Sequence, residues 1–384
     1  MSNEGSQGTA AIARGLEGVV VATSELSFID GQEGILTYRG LNIHDLAEHS
    51  TFEEVVYLLW FGALPTRKQL DELSSQLAAN RALPEEVLAM MRTFPGTVTP
   101  MEALRTVISA LSMYDPDVEE ESREANLRKA VRLTARMPTI VATYHRLRKG
   151  EEPMAPNPAL RHAANFLYML SGQVPDEVAE RAFDVALVLL ADHGFNASTF
   201  AARVTAATLS DIYSAITSAI GTLKGPLHGG ANQRAMEMML EIGEIENVEG
   251  YIKAALAARK RIMGFGHRVY KTEDPRATEL RQMACRLGER MGNMKWCDMA
   301  QRIQEVVWAE KQLYPNVDFY TAPTLYTLGI PPDLFTPLFA CSRVAGWTAH
   351  VLEQYSDNRL IRPRAKYVGP RDQPYVPIED RGEA

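Results

Sequence analysis

Cysteine is scarce in this chain. There are three, Cys285, Cys297 and Cys341, and no C-x-x-C pair. An odd, sparse count fits a reducing compartment and argues against a disulfide framework or a zinc ribbon. Long apolar runs are missing too. The longest strongly apolar stretch, "AFDVALVLLA" at 182–191, is too short to span a bilayer. The opening "MSNEGSQGTAAIARGLEG" has no apolar signal core. These absences predict a cytoplasmic protein with no membrane partner. Positive charge is in deficit, with a net charge of −8. Nothing global attracts nucleic acid, so an anionic ligand would need local cations. Internal repeats and low-complexity segments are absent.

What is present belongs to a folded chain. Apolar residues make up 46% and charged residues 23% of 384, a length that suggests two domains or one large domain with an insertion. Strand signals are confined to residues 17–40, where β-branched and aromatic residues flank Asp30-Gly31, a hairpin turn signal. Helix signals dominate thereafter. Thr51 with Glu54 and Thr66 with Gln69 read as capping boxes, and Thr99-Pro100-x-Glu102 as a cap with Pro at the first helical position. Apolar residues recur at helical spacing through Ile212, Ile216, Ala219, Ile220 and Leu223, and through Ala235, Met238, Met239 and Ile242. No strand–helix alternation of the parallel-sheet kind appears. The expected fold is mainly α with a small N-terminal β element. Pro and Gly cluster at 225–230, 264–266 and 329–332, punctuating an inserted unit, and the tail from Arg362 reads as an extended arm.

Chemistry concentrates in a few stretches. "GPLHGGAN" at 225–232 sets His228 among glycines just before a helical pattern. Near a helix N-terminus the dipole disfavours imidazolium, so His228 should be neutral and able to donate to a developing oxyanion. A turn-capping histidine is the bland alternative. "IMGFGHRVYKTEDPRA" at 262–277 offers a glycine-flanked loop, His267, and the cations Arg268, Lys271 and Arg276 for phosphate or carboxylate. "YPNVDFYTAPTLY" at 314–326 sets Asp318 among aromatics, where burial makes a carboxylate a better base, although a helix N-cap would also use an Asp. His193 in "ADHGFNAST", Arg343 in "CSRVAGW" and Arg362 in "RLIRPRAKY" complete the set.

Together and in this order, these stretches resemble the citrate synthase family over nearly the whole chain. Its short dimeric form has a similar length. The resemblance implies an almost all-α fold, with a large domain from residues 1–226 and 331–384, a small domain at 227–330, and the active site in the cleft between them. It implies condensation of acetyl-CoA with oxaloacetate. His228 would donate to the thioester oxygen, His267 would polarise the ketone, and Asp318 would remove the methyl proton. His193, Arg276, Arg343 and Arg362 would hold substrate carboxylates, the last reaching across a homodimer. Gly264, Phe265, Gly266, Lys271 and Lys311 would contact CoA. No cofactor or metal is implied, because acetyl-CoA is a substrate. One departure is "HGF" at 193–195, where many members carry an acid after the histidine. Three alternatives stay open: a 2-methylcitrate synthase using propionyl-CoA, a metal-dependent hydrolase (without supporting H-x-x-x-H spacing), and a non-catalytic binding relative.

Overall fold

The computed structural model describes residues 12–382. The stretch read for a signal core therefore lies partly outside the described residues. A three-stranded antiparallel sheet opens the fold. Strand β1 (Ser27–Asp30) pairs with β2 (Ile35–Tyr38), Ser27 opposite Tyr38, and β2 pairs with β3 (Leu41–Asn42). The Asp30 carboxylate accepts the N–H groups of Gln32 (2.9 Å) and Glu33 (3.0 Å), which turns the chain where Asp-Gly predicted. The strand expectation for 17–40 was too broad. Residues 17–24 are exposed and form no strand, because no neighbouring strand offers them a ladder.

Helices build the rest. Among the described residues ten run before the glycine-rich stretch: α1 (Ile43–His49), α2 (Phe52–Phe61), α3 (Arg67–Ala79), α4 (Glu85–Arg92), α5 (Pro100–Leu111), α6 (Arg123–Arg148), α7 (His162–Ser171), α8 (Glu177–Leu190), α9 (Ala197–Ala206) and α10 (Ile212–Leu223). Next come α11 (Ala231–Ile242), α12 (Val248–Ala257), α13 (Pro275–Met291), α14 (Lys295–Lys311) and α15 (Val317–Thr327), and last α16 (Phe335–Ser356). The three expected N-terminal signatures are real: Thr51, Thr66 and Thr99 each close a capping box, with Glu54, Gln69 and Glu102.

Helix α16 is buried nearly all round and packs on α2, α6, α8, α9 and α10, so it forms the axis of the core. Helices α11–α15 pack largely on one another, while α13 also lies against α1 and α8. Residues 357–382 leave the body as an exposed, extended segment with one short 3₁₀ turn. Among the described residues no helix is long and apolar enough to cross a membrane.

The cysteine expectation is corrected. Cys285 on α13 and Cys297 on α14 form a disulfide, with Cα atoms 5.1 Å apart, and only Cys341 is free and buried. The spacing hid the pair because each residue sits on a different helix, and the two helices pack side by side. The thiol argument for a reducing compartment falls with it.

Candidate active site

A cleft of about 960 Å³ gathers most of the singled-out residues: His193, His228, Gly266, His267, Arg276, Asp318 and Arg343. Residues 15–22 also line it, which sequence patterning did not anticipate.

The cationic wall is built first. Asp274 caps α13 and Arg276 follows Pro275 in its first turn. Both are buried, and the guanidinium meets the carboxylate at two points, Nε–Oδ1 3.0 Å and Nη2–Oδ2 2.8 Å. Burial alone would lower the Arg276 pKa; the Asp274 charge overrides it and holds Arg276 firmly protonated. Arg343 on α16 is 1% exposed and donates Nε–H to the Leu190 carbonyl at 2.7 Å. Its Nη2 is buried with no hydrogen-bond partner among the described residues. Burial pushes this guanidinium down to about 10, still charged at neutral pH. An arginine held in the wall with an unused N–H is suited to an incoming carboxylate.

His228 sits two residues before the N-cap of α11, Gly230. The glycines explain themselves: a Cβ on Gly229 would stand 2.1 Å from the Leu223 carbonyl oxygen, so only glycine lets this turn close on α10. The Ser198 backbone N–H donates to His228 Nε2 at 3.2 Å. The Ser198 hydroxyl lies 2.7 Å from the same nitrogen. With the backbone N–H aimed at it, we assign this nitrogen as an acceptor, which puts the proton of the neutral ring on Nδ1. The pKa is lowered to about 4, as expected in direction; burial is the main cause and Arg343 adds to it.

His267 has the opposite tautomer. Its Nδ1 accepts from the N–H groups of Val269 (3.0 Å) and Tyr270 (3.2 Å), which leaves the proton on Nε2. Burial and then Arg276 lower it to about 4. His193 is buried, with its ring centroid 5.4 Å from that of His267 and its Nε2 3.2 Å from the Tyr270 hydroxyl. Burial, Arg276 and His267 hold it well below the usual histidine range. Three neutral imidazoles and two arginines thus share one cleft.

Asp318 is the second residue of α15. The N-cap role falls to Asn316, whose side chain accepts the Asp318 N–H at 3.0 Å, so the Asp318 carboxyl is spared that work. Burial raises its pKa to about 6, against the opposing pull of Arg276. A carboxylate lifted towards neutrality is a stronger base than one in water.

Of the other expected residues Gly266 lines the cleft, while Gly264, Phe265, Lys271, Lys311 and Arg362 do not. Gly264 and Gly266 hold the neighbouring chain instead of presenting a free loop: Asn316 N–H reaches the Gly264 carbonyl, Gly266 N–H the Tyr314 carbonyl, and Asn316 Nδ2 the Gly266 carbonyl, each at 2.9 Å. Phe265 packs on Phe319 with centroids 4.5 Å apart. Lys271 and Lys311 are exposed and do not line the cleft, and Arg362 is exposed on the terminal segment. Sequence reasoning missed Ser198, Tyr270, Asp274 and Asp192. Ser198, Tyr270 and Asp192 meet His228, His193 and Ser27 from other segments, whereas Asp274, beside Pro275, carried a local signal as a cap and pairs with Arg276 two residues on. Among the described residues no group of three or more His, Cys, Asp or Glu could hold a metal ion.

The model of the citrate synthase C-terminal domain matches residues 15–364. The chain belongs to the citrate synthase family. It is 54% identical to a citrate synthase of Haloferax volcanii over 375 residues, covering 96% of this chain and 99% of the relative. It is likewise 54% identical to citrate synthase 2 of Bacillus subtilis, with the same coverage. A 2-methylcitrate synthase of Mycobacterium tuberculosis is 45% identical, over 93% of this chain and 91% of its own. Among solved structures, citrate synthase of Pyrobaculum aerophilum superposes with a TM-score of 0.91 at 43% identity, covering 96% and 95% of the two chains. A ternary complex of the Thermoplasma acidophilum citrate synthase with carboxymethyl coenzyme A and oxaloacetate gives 0.91 at 34% identity, covering 97% and 100%.

Proposed function

We propose that this enzyme has citrate synthase activity: it joins the methyl carbon of acetyl-CoA to the ketone of oxaloacetate, and water then cleaves the thioester to give citrate and free CoA. One observation carries the reading. A carboxyl raised to about 6 and two neutral imidazoles of opposite tautomer line the same cleft as an arginine with an unused N–H.

A thioester methyl is too weak an acid for a carboxylate alone. Asp318 takes the proton while His228 Nδ1–H stabilises the enolate oxygen as its charge develops. The enolate carbon then bonds to the ketone carbon; the resulting alkoxide is held by His267 Nε2–H and takes up one proton, matching the one that Asp318 removed from the methyl and gives up again, so both groups end as they began. Arg276, Arg343 and His193 hold the oxaloacetate carboxylates so that one face meets the nucleophile. In the final step water attacks the citryl thioester and the CoA sulfur leaves as the thiol.

The reading extends to assembly. Residues 227–330 act as a small domain that closes to exclude water until oxaloacetate is bound. Gly264–Gly266, Lys271 and Lys311 face CoA, a role that the exposure of both lysines supports. The enzyme works as a homodimer in the cytoplasm, and Arg362 of the partner subunit completes the carboxylate site. The exposed segment that carries this arginine, 357–382, supports that arrangement.

The 45% identity to a 2-methylcitrate synthase favours a second reading, in which propionyl-CoA is the donor. One methylene in an apolar pocket discriminates by only about 1–3 kcal/mol, so both substrates are to be tried. The test is free CoA release with oxaloacetate plus either acyl-CoA, beside an Asp318→Ala control. A higher kcat/KM for acetyl-CoA, lost in the control, supports the first reading. A preference for propionyl-CoA moves the assignment to the second. Release from neither overturns both.

A further inference from the structure

The Asp30-Gly31 hairpin stood out in the sequence, yet the proposed chemistry does not use it. Its contacts give it a task. At its open end Ser27 and Tyr38 face each other across the strands. Ser27 Oγ–H donates to the Asp192 carboxylate, and the Gly194 N–H donates to Ser27 Oγ at 3.1 Å. The Tyr38 hydroxyl donates to the Asp192 carbonyl at 2.9 Å and accepts the Asp192 N–H at 3.2 Å. Both neighbours of His193 are therefore held by one cross-strand pair.

At the other end the turn grips the His267 loop. The Lys271 N–H donates to the Gly31 carbonyl at 2.7 Å. Gly31 lies so close to this loop that a Cβ would stand 2.3 Å from the Val269 carbonyl oxygen. A Cβ on Gly34 would meet Thr272 Cγ2 at 2.8 Å. The Val269 and Tyr270 N–H groups are the ones that fix His267 Nδ1. The Asp30 carboxylate stiffens the turn between the two grips. About four residues at ~3.3 Å each separate them, so the hairpin spans roughly 13 Å.

We propose that the β1–β2 hairpin is a positioning element that sets His193 and His267 relative to each other, and that Gly31 is the residue on which the His267 loop rests. The inference builds on the reading that both histidines bind oxaloacetate. Their rings come from segments more than seventy positions apart in sequence, and no helix carries both. A rigid strut touching the two segments is what fixes the gap. Misplacement by about 1 Å costs on the order of 10²-fold in such a site.

The test uses the full-length protein and Gly31→Ala, whose methyl displaces the Val269 carbonyl. Oxaloacetate binding is measured by calorimetry, and KM for oxaloacetate and for acyl-CoA by CoA release. Oxaloacetate Kd and KM should rise at least about tenfold, and by clearly more than the acyl-CoA KM, which can shift only through Lys271 on the same loop. Should that variant not fold, Ser27→Ala probes the opposite grip without adding bulk, and the same split is expected at about threefold or more. Unchanged oxaloacetate binding in a folded variant, or an acyl-CoA KM that rises as much as the oxaloacetate KM, overturns the proposal. A wild-type protein that binds no oxaloacetate overturns the parent reading instead.

Discussion

Asp274 grips the Arg276 guanidinium through two hydrogen bonds, and its Oδ2 also accepts the Val317 N–H at 3.1 Å. One carboxylate thus fixes a cleft-lining cation and the start of α15, one residue before the candidate base. Removing it would strand a buried guanidinium. Asp274→Asn should cost about 3–5 kcal/mol of stability, measured by urea unfolding. It should also weaken oxaloacetate binding more than acyl-CoA binding. An unchanged unfolding midpoint would contradict this role.

The pH profile follows from Asp318. The base must be ionised, so kcat/KM should climb as pH rises through about 6 and level off above it. Asp318→Asn should lower kcat by roughly 10²–10⁴ and remove that limb. Stability runs the other way. The folded pKa lies above the ordinary carboxylate value, so the carboxyl favours folding while protonated, and that contribution fades between about pH 4 and 6. At pH 8 the Asn variant should therefore be the more stable protein, by about 1–3 kcal/mol. A variant less stable than wild type at that pH would refute the argument.

Much of this site was legible because its signals are local. The Gly and Pro around His228, the cations after His267 and the Pro-Asn before Asp318 mark tight turns, and those turns carry the side chains that the structure gathers in the cleft. The helical character of the fold was readable for the same reason, through caps at Thr51, Thr66 and Thr99 and apolar spacing along α10. What stayed hidden depends on tertiary meetings. Ser198 sets the His228 tautomer from thirty residues away, and Tyr270 approaches His193 across two loops. Residues 17–24 have strand-like composition without a strand to pair with. Composition states what a segment prefers; a partner decides what it becomes.

The two imidazoles make a spectroscopic prediction. With ¹⁵N-labelled histidine, His228 should titrate as a neutral Nδ1–H ring and His267 as a neutral Nε2–H ring, each protonating only near pH 4. Ser198→Ala keeps the backbone N–H, so the His228 tautomer should persist. The same change removes the hydroxyl that accepts Trp347 Nε1–H at 3.1 Å, and stability should drop by about 1–3 kcal/mol. Equal populations of both tautomers at either ring would break the assignment of donors.

The disulfide can be tested away from the chemistry. Cys285 and Cys297 do not line the cleft, so reduction should leave kcat unchanged. It joins positions 12 residues apart, and in the chain-entropy account a loop of that size contributes about 3 kcal/mol. Cys285→Ser with Cys297→Ser should therefore lower the unfolding free energy by about 2–3 kcal/mol in urea. Thiol titration of the denatured, unreduced protein should find Cys341 alone, and all three cysteines after reduction. Three reactive thiols before reduction would show that α13 and α14 pack without the covalent link, and would restore the reducing-compartment argument that the bond removes.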